Sequence, residues 1–134
     1  MKYMILSYGS QQDYDGMGGS GESAWTPEDF AKMTEFMTAF NRELEESGEL
    51  VETRGLAAPV HTRRVGNRDG AAFVTDGPYA ETQEVLAGYW IVECESFDRA
   101  TEIAARLRGC PAPQQAYDRA YADVRPIMES ADEI

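Results

Sequence analysis

The segment Asp76-Gly77-Pro78-Tyr79-Ala80-Glu81-Thr82-Gln83-Glu84 gathers three carboxylates around a turn. Pro78 fixes φ and Gly77 permits a tight approach, so Asp76, Glu81 and Glu84 fall on a short arc beside a strand end. Carboxylates crowded in this way can raise one another's pKa, which is one route to an acid/base pair. The alternative is a solvated acidic turn with no chemical role.

Cations are placed to meet this arc. Residues 43–52 carry Glu43, Glu45, Glu46, Glu49 and Glu52, whereas residues 53–68 contain no acid. That second stretch holds Arg54, Arg63, Arg64, Arg68 and the sole histidine, His61. A hairpin through Asp69-Gly70 folds 61–64 back beside 75–78, because Asp-Gly supplies the positive φ such turns need. A two-residue loop sets Arg63 opposite Asp76; a four-residue loop sets His61 there. The first outcome is a cross-strand ion pair worth a few tenths of a kcal/mol. The second is a His–carboxylate pair poised for proton transfer near neutral pH.

Other chemistries fit poorly. Gly16-Met17-Gly18-Gly19-Ser20-Gly21 matches G-x-G-x-x-G in letters. It does not open directly into a helix, however, and Asp15 and Glu22 would repel a phosphate. Asp13 and Asp15 suggest a calcium loop, but Met17 and Ala24 stand where ligands belong. No metal site and no cofactor are expected. Cys94 and Cys110 lack metal-ligand or redox spacing and read as free thiols. No serine lies in G-x-S-x-G, which disfavours covalent catalysis.

The elements that must position these residues can be read from periodicity and caps. A strand is expected over 2–8, followed by a Gly-rich polar stretch from Gly9 to Ser23 that reads as a mobile flap. Thr26, Pro27 and Asp29 suit the N-cap, N1 and N3 of a helix over 27–47, with Phe30, Met33, Met37, Phe40 and Leu44 as its apolar stripe. Strands follow at 49–56, 60–65, 71–75 and 86–94. Ser96 caps a second helix with Ala100, Ile103, Ala104 and Leu107 on its buried face. A loop containing Pro111 and Pro113 leads to a final strand over 121–128, and 129–134 is a tail. The order predicts one α+β domain over 1–134: a ferredoxin-like β-α-β-β-α-β fold with an antiparallel sheet and an extra hairpin.

The chain of 134 residues fits a single domain, and its net charge of −12 argues against a nucleic-acid or anionic-membrane partner. The N-terminus turns polar by Ser7, and no run reaches the roughly 20 apolar residues of a membrane span, so a cytoplasmic protein is expected. Strand 86–94 is apolar on both sides: Leu86, Trp90, Val92 and Cys94 point one way, Ala87, Tyr89 and Ile91 the other. Helices can cover only one face of such a sheet, and an exposed apolar face of several hundred Å² usually marks an interface. A homodimer forming a dimeric α/β barrel would cover it.

At these residues the chain resembles a known family. The Asp76–Glu84 segment, then Gly88-Tyr89-Trp90 and Val124-Arg125-Pro126-Ile127, resemble the DGPF-type branch of the YCII-related proteins, as do Met1-Lys2-Tyr3-Met4-Ile5-Leu6 and Arg54-Gly55-Leu56. The resemblance spans nearly the whole chain and implies a ferredoxin-like subunit of the dimeric α/β-barrel superfamily. Related YCII proteins hold a His–Asp pair in a pocket, which implies an enzyme; Asp76 matches the motif aspartate. The family's usual histidine position is not recognisable here, Tyr79 replaces the Phe of the motif, and Gln83 stands where many relatives carry Lys. Genes of this branch often neighbour extracytoplasmic-function sigma factors, which implies a regulatory context.

The expected function is a small-molecule binder or cofactor-independent acid/base enzyme of isomerase or lyase type. Its pocket is expected between sheet and helices. Asp76 or Glu81 would serve as base, with His61 as their partner. Arg54, Arg63, Tyr79 and Glu84 would complete the site, an arginine holding an anionic ligand. The competing expectation is a non-catalytic interaction module associated with a sigma factor.

Overall fold

Strict alternation in the first strand sets the architecture. A computed structural model describes residues 1–21 and 24–134. In β1 (Lys2–Gly9), Tyr3 and Ile5 are buried while Met4 and Leu6 are half-exposed. One face therefore belongs to the core and the other to a second environment. β1 pairs on one side with β5 (Val85–Glu93) and on the other with β6 (Ala122–Pro126), and β2 (Leu50–Gly55) adds beyond β5. All pairings are antiparallel and the order is β2-β5-β1-β6, the ferredoxin-like arrangement.

Two helices close the core face. α2 (Pro27–Glu46) begins as expected: Thr26 and Asp29 form a reciprocal capping box with proline in the first turn. It buries Phe40 and Leu44. α3 (Phe97–Ala105), capped by Ser96, buries Ala100 and Ile103. These residues meet Tyr3, Ile5, Trp90 and Val92 in one cluster. The Trp90 ring stands edge-on to Phe40, and its indole N–H donates to Asn41 Oδ1 at 2.8 Å, so the one polar atom of the ring is satisfied. Leu86 departs from expectation. A register irregularity beside Ser7 and Tyr8 displaces it from the Trp90 face, and it is exposed.

The opposite sheet face has an apolar centre and a polar frame. Met4 pairs with Ile91 and Leu6 with Tyr89. Around them, three phenols donate to carboxylates: Tyr8 to Asp123 (2.8 Å), Tyr89 to Glu52 (2.8 Å) and Tyr121 to Glu84 (2.9 Å). In each case the hydrogen bond to the carboxylate is the main reason the phenol pKa is raised. Tyr8 and Tyr121 also stack.

Two expected loops contain helices. The stretch expected as a flap holds α1 (Gln11–Met17), because Ser10 and Asp13 build a capping box that outweighs the glycine content nearby. The end of that stretch, at Glu22 and Ser23, lies outside the described residues. The segment after Pro113 forms α4 (Gln114–Arg119), whose Arg119 donates to Asp13 Oδ1 at 3.0 Å and ties α4 to α1. A single 3₁₀ turn, Ala131–Glu133, lies in the tail.

The Ser10 cap is a measurable support. Ser10→Ala should weaken α1 by about 1 kcal/mol. Hydrogen exchange should speed up at Gln12, Tyr14 and Gly18 while amides beside Ile103 keep their protection. Unchanged exchange across α1 would show that the cap does not hold the helix.

Candidate functional site

The extra hairpin fixes the site. β3 (Arg63–Arg68) and β4 (Ala71–Asp76) form their own two-stranded sheet, joined by Asp69 at φ 51° and Gly70 at φ 80°. Positive φ at both central residues is the signature of a two-residue type I′ turn. This settles the register: Arg63 lies opposite Asp76. Its Nε donates to Asp76 Oδ1 at 2.9 Å. Of the two alternatives, the His61–Asp76 pairing does not form, because the shorter loop moves the histidine beyond the last ladder position.

His61 instead ends a 3₁₀ turn, Pro59–His61, that enters the hairpin. Gly77, at φ +56° and hence in a conformation that suits glycine, donates its N–H to Thr62 O at 2.8 Å and folds the chain back at the hairpin's root. Val60, His61, Thr62, Arg63 and Asp76 together line an open depression of about 520 Å³. This depression lies at the base of the arm, whereas the pocket expected from sequence is one between sheet and helices. Helices cover the core face of the sheet with Phe40, Leu44, Ala100 and Ile103.

The depression is open and charged. The Arg63 and Asp76 side chains are 70% and 75% exposed, so the ion pair by itself adds little to stability. Among the described residues, His61 makes no side-chain hydrogen bond or ion pair. The terminal nitrogens of Arg63 likewise donate to no described residue.

The remaining expected site residues are dispersed. Tyr79 is half-buried beneath the Arg64 guanidinium, 5.0 Å from its ring centre, and buttresses the hairpin root. Glu81 is exposed and holds α1 through its backbone carbonyl, which accepts from Gln12 N at 3.0 Å. Glu84 faces Tyr121 at the frame of the open sheet face. Arg54 sits on that face too, paired with Tyr89 across the strands and 3.8 Å from Glu52. Of the three residues of the arc, Asp76 lines the depression and Glu81 and Glu84 do not.

Sequence reasoning missed α1 as part of the site. Gln11 Oε1 accepts from Val60 N at 2.8 Å, and Tyr14 donates its hydroxyl to Leu56 O at 2.8 Å. Burial raises the Tyr14 phenol pKa. The Ser10-x-x-Asp13 spacing was the available signal. No group of three or more metal-ligating side chains occurs among the described residues, and none of their helices is long and apolar enough to cross a membrane.

Comparison with known proteins places this geometry in a family. Residues 1–128 match the YCII-related domain. The chain belongs to the YCII-related family. A relative from Rhizobium meliloti (strain 1021), described as an uncharacterised protein, is 28% identical over 127 residues, covering 95% of this chain and 92% of the relative. The YCII-related match takes in every element that builds the depression, from α1 through the hairpin to β6. Membership stands beside the ferredoxin-like fold and leaves the chemistry to the site itself.

Proposed function

We propose that this YCII-related protein binds a small anionic molecule at the root of the hairpin and catalyses cofactor-independent proton transfer on it, as an isomerase or lyase. The observation that carries this reading is the convergence of Asp76, Arg63 and His61 on one depression, with Arg63 Nε fixed 2.9 Å from Asp76 Oδ1. Engaging Asp76 through Nε orients the carboxylate and leaves the terminal guanidinium nitrogens for a ligand carboxylate or phosphate. Asp76 then lies beside the bound anion, where it can take a proton from the adjacent carbon or oxygen. His61, with both ring nitrogens uncommitted, can when protonated donate a proton of its own to a neighbouring atom, after which Asp76 loses and His61 regains a proton by exchange with solvent. Gly77 folds the chain back beside Asp76 and Tyr79 packs under Arg64, so neither is given a reacting role.

The same reading has the protein act as a cytoplasmic homodimer of the DGPF branch. The apolar centre at Met4, Leu6, Tyr89 and Ile91, framed by phenol–carboxylate pairs, has the core-and-rim character of an interface. A twin seated there would close the sheets into a barrel.

Thermal-shift screening against small carboxylates and phosphates tests the site. A ligand at 100 times its Kd stabilises by about 2.7 kcal/mol, a shift of several degrees. Asp76→Asn and His61→Ala should abolish or halve that shift. For a turned-over ligand, Asp76→Asn should lower kcat by about 10²-fold or more. Equal ligand shifts in the wild type and both variants would remove the site.

One observation favours a second reading, a non-catalytic interaction module associated with a sigma factor. Val60, Val65 and Val74 are exposed around Asp76. Capture of such a partner by wild type but not by Val74→Asp, with no ligand shift, would select it.

A further inference from the structure

Asp-Gly occurs at three places in the chain: Asp15-Gly16, Asp69-Gly70 and Asp76-Gly77. The dipeptide carries a reactivity of its own. The glycine nitrogen can attack the side-chain carbonyl carbon of the aspartate, because a residue without Cβ leaves the approach open. A C–N bond forms, the carboxyl hydroxyl departs with the amide proton as water, and a five-membered succinimide closes. Water then adds back at either ring carbonyl. One opening restores aspartate, and the other leaves the main chain running through Cβ as isoaspartate. The water lost is the water regained, so no oxidant, reductant or other reactant is consumed.

The fold treats the three places differently. Asp15-Gly16 lies inside α1, where Gly16 is buried and Asp15 Oδ1 accepts from Gln11 Nε2 at 2.9 Å. Asp76-Gly77 is held at both atoms that would have to meet. Arg63 Nε donates to the Asp76 carboxylate at 2.9 Å, and the Gly77 nitrogen donates to Thr62 O at 2.8 Å. Asp69-Gly70 stands at the tip of the arm with both residues exposed. Among the described residues, the Asp69 carboxylate makes no hydrogen bond or ion pair, and the Gly70 nitrogen donates to none of them. A Cβ built on Gly70 meets nothing within 4 Å. Asp69 also sits at φ 51°, a left-handed conformation with a steric cost that glycine lacks.

We infer that Asp69 is a modification site of this chain, at which isoaspartate forms in the folded protein, and that the change undoes the register of the arm. The inserted methylene lengthens the main chain within a two-residue turn whose geometry fixes the pairing of both strands. Arg68 opposite Ala71 closes that turn, and Arg63 opposite Asp76 lies at the far end of the same ladder. The arm is a sheet of two strands only, and such a ribbon is marginal in water. Losing the pair at the tip therefore loosens the whole ladder, and with it the alignment of Arg63 against Asp76 at the root. Asp15 and Asp76 keep their ordinary linkage, because the contacts that hold them also block the rotation that ring closure needs.

Ageing the full chain at neutral pH in water enriched in heavy oxygen tests this. Each ring opening leaves a heavy oxygen at its residue, and electron-transfer fragmentation of the digested protein distinguishes isoaspartate from aspartate. Heavy oxygen and isoaspartate should build up at Asp69 about tenfold or more faster than at Asp15 or Asp76. In urea that preference should vanish, because only the sequence then separates the three places. The isoaspartate-bearing chain, isolated by anion exchange, should show faster amide exchange than fresh protein at Gly66, Phe73 and Gly77, with Ile103 unchanged. Labelling at Asp15 or Asp76 that equals or exceeds labelling at Asp69 in the folded chain would overturn the assignment. So would labelling at Asp69 no greater than at Asp98 or Asp118, which precede arginine. A preference for Asp69 that persists in urea would trace it to sequence and overturn the part given to the fold. Unchanged exchange at Gly66, Phe73 and Gly77 in the modified chain would overturn the effect on register. None of these readouts involves a ligand, so their failure leaves the proposed site at the root standing.

Discussion

Leu44→Ala should destabilise the fold by about 3 kcal/mol, the middle of the range for a large-to-small change in a closed core. Leu44 is 1% exposed, on the last turns of α2, in the cluster with Tyr3, Ile5, Trp90 and Val92. The loss has two parts: the transfer energy of the removed methyl groups, and the void left where helix and sheet cannot close up. For a chain of this length, 1 kcal/mol corresponds to roughly 3–5 °C in Tm, so a fall of about 10 °C or more is expected by calorimetry. A fall under 3 °C would mean that α2 resettles onto the sheet and that the core is looser than its burial implies.

Arg99→Ala should cost about 2 kcal/mol, the scale of a charge-assisted hydrogen-bonded pair that is partly buried. Arg99 on α3 donates from Nε and one terminal nitrogen to both oxygens of Glu49, each at 2.8 Å, and from its other terminal nitrogen to Glu102. The Glu49 side chain is only 16% exposed. The fork links α3 to the start of β2, and removing the guanidinium leaves a shielded carboxylate with the Ser47 hydroxyl and the more distant charge of Arg106 as its remaining support.

The same pair sets a pH dependence. The Arg99 hydrogen bonds hold the Glu49 carboxyl below its ordinary value of 4.5, with the Ser47 hydroxyl helping and burial opposing. A carboxyl depressed on folding adds stability that is fully present above its unfolded pKa and is lost as pH falls through the folded one. Wild type should therefore lose stability progressively below about pH 4.5. Glu49→Gln should be less stable at pH 7 and show a shallower acid limb. Parallel denaturation midpoints for the two proteins between pH 7 and pH 3 would rule out this linkage.

The fold was legible because its signals were redundant. Thr26-Pro27-x-Asp29 specified a helix start through backbone geometry and side-chain acceptors at once, and Asp69-Gly70 specified a turn through φ alone. The two missed helices were obscured for different reasons. Glycines around α1 masked a short capping box, and prolines before α4 read as loop chemistry although Pro113 immediately precedes that helix. The site was legible in part. Asp76 and a facing cation followed from sequence, whereas the choice between Arg63 and His61 rested on one turn geometry that composition leaves open. Glu81 and Glu84 do not line the depression with Asp76, because neighbours along a turn need not share a side: one meets α1 through its backbone, the other meets Tyr121.

The seven-residue helix after β1 acts as a tie-beam for chain segments far from it in sequence. Through Gln11, Gln12 and Tyr14 it anchors the strands' exit at Leu56, the bend at Val60 and the return at Glu81. None of these anchors reaches the hydrophobic cluster, so the beam can let go without the rest of the molecule unfolding. Its release would free the entrance and the exit of the arm together. A unit separate from the hydrophobic cluster thus holds the root of the hairpin in place.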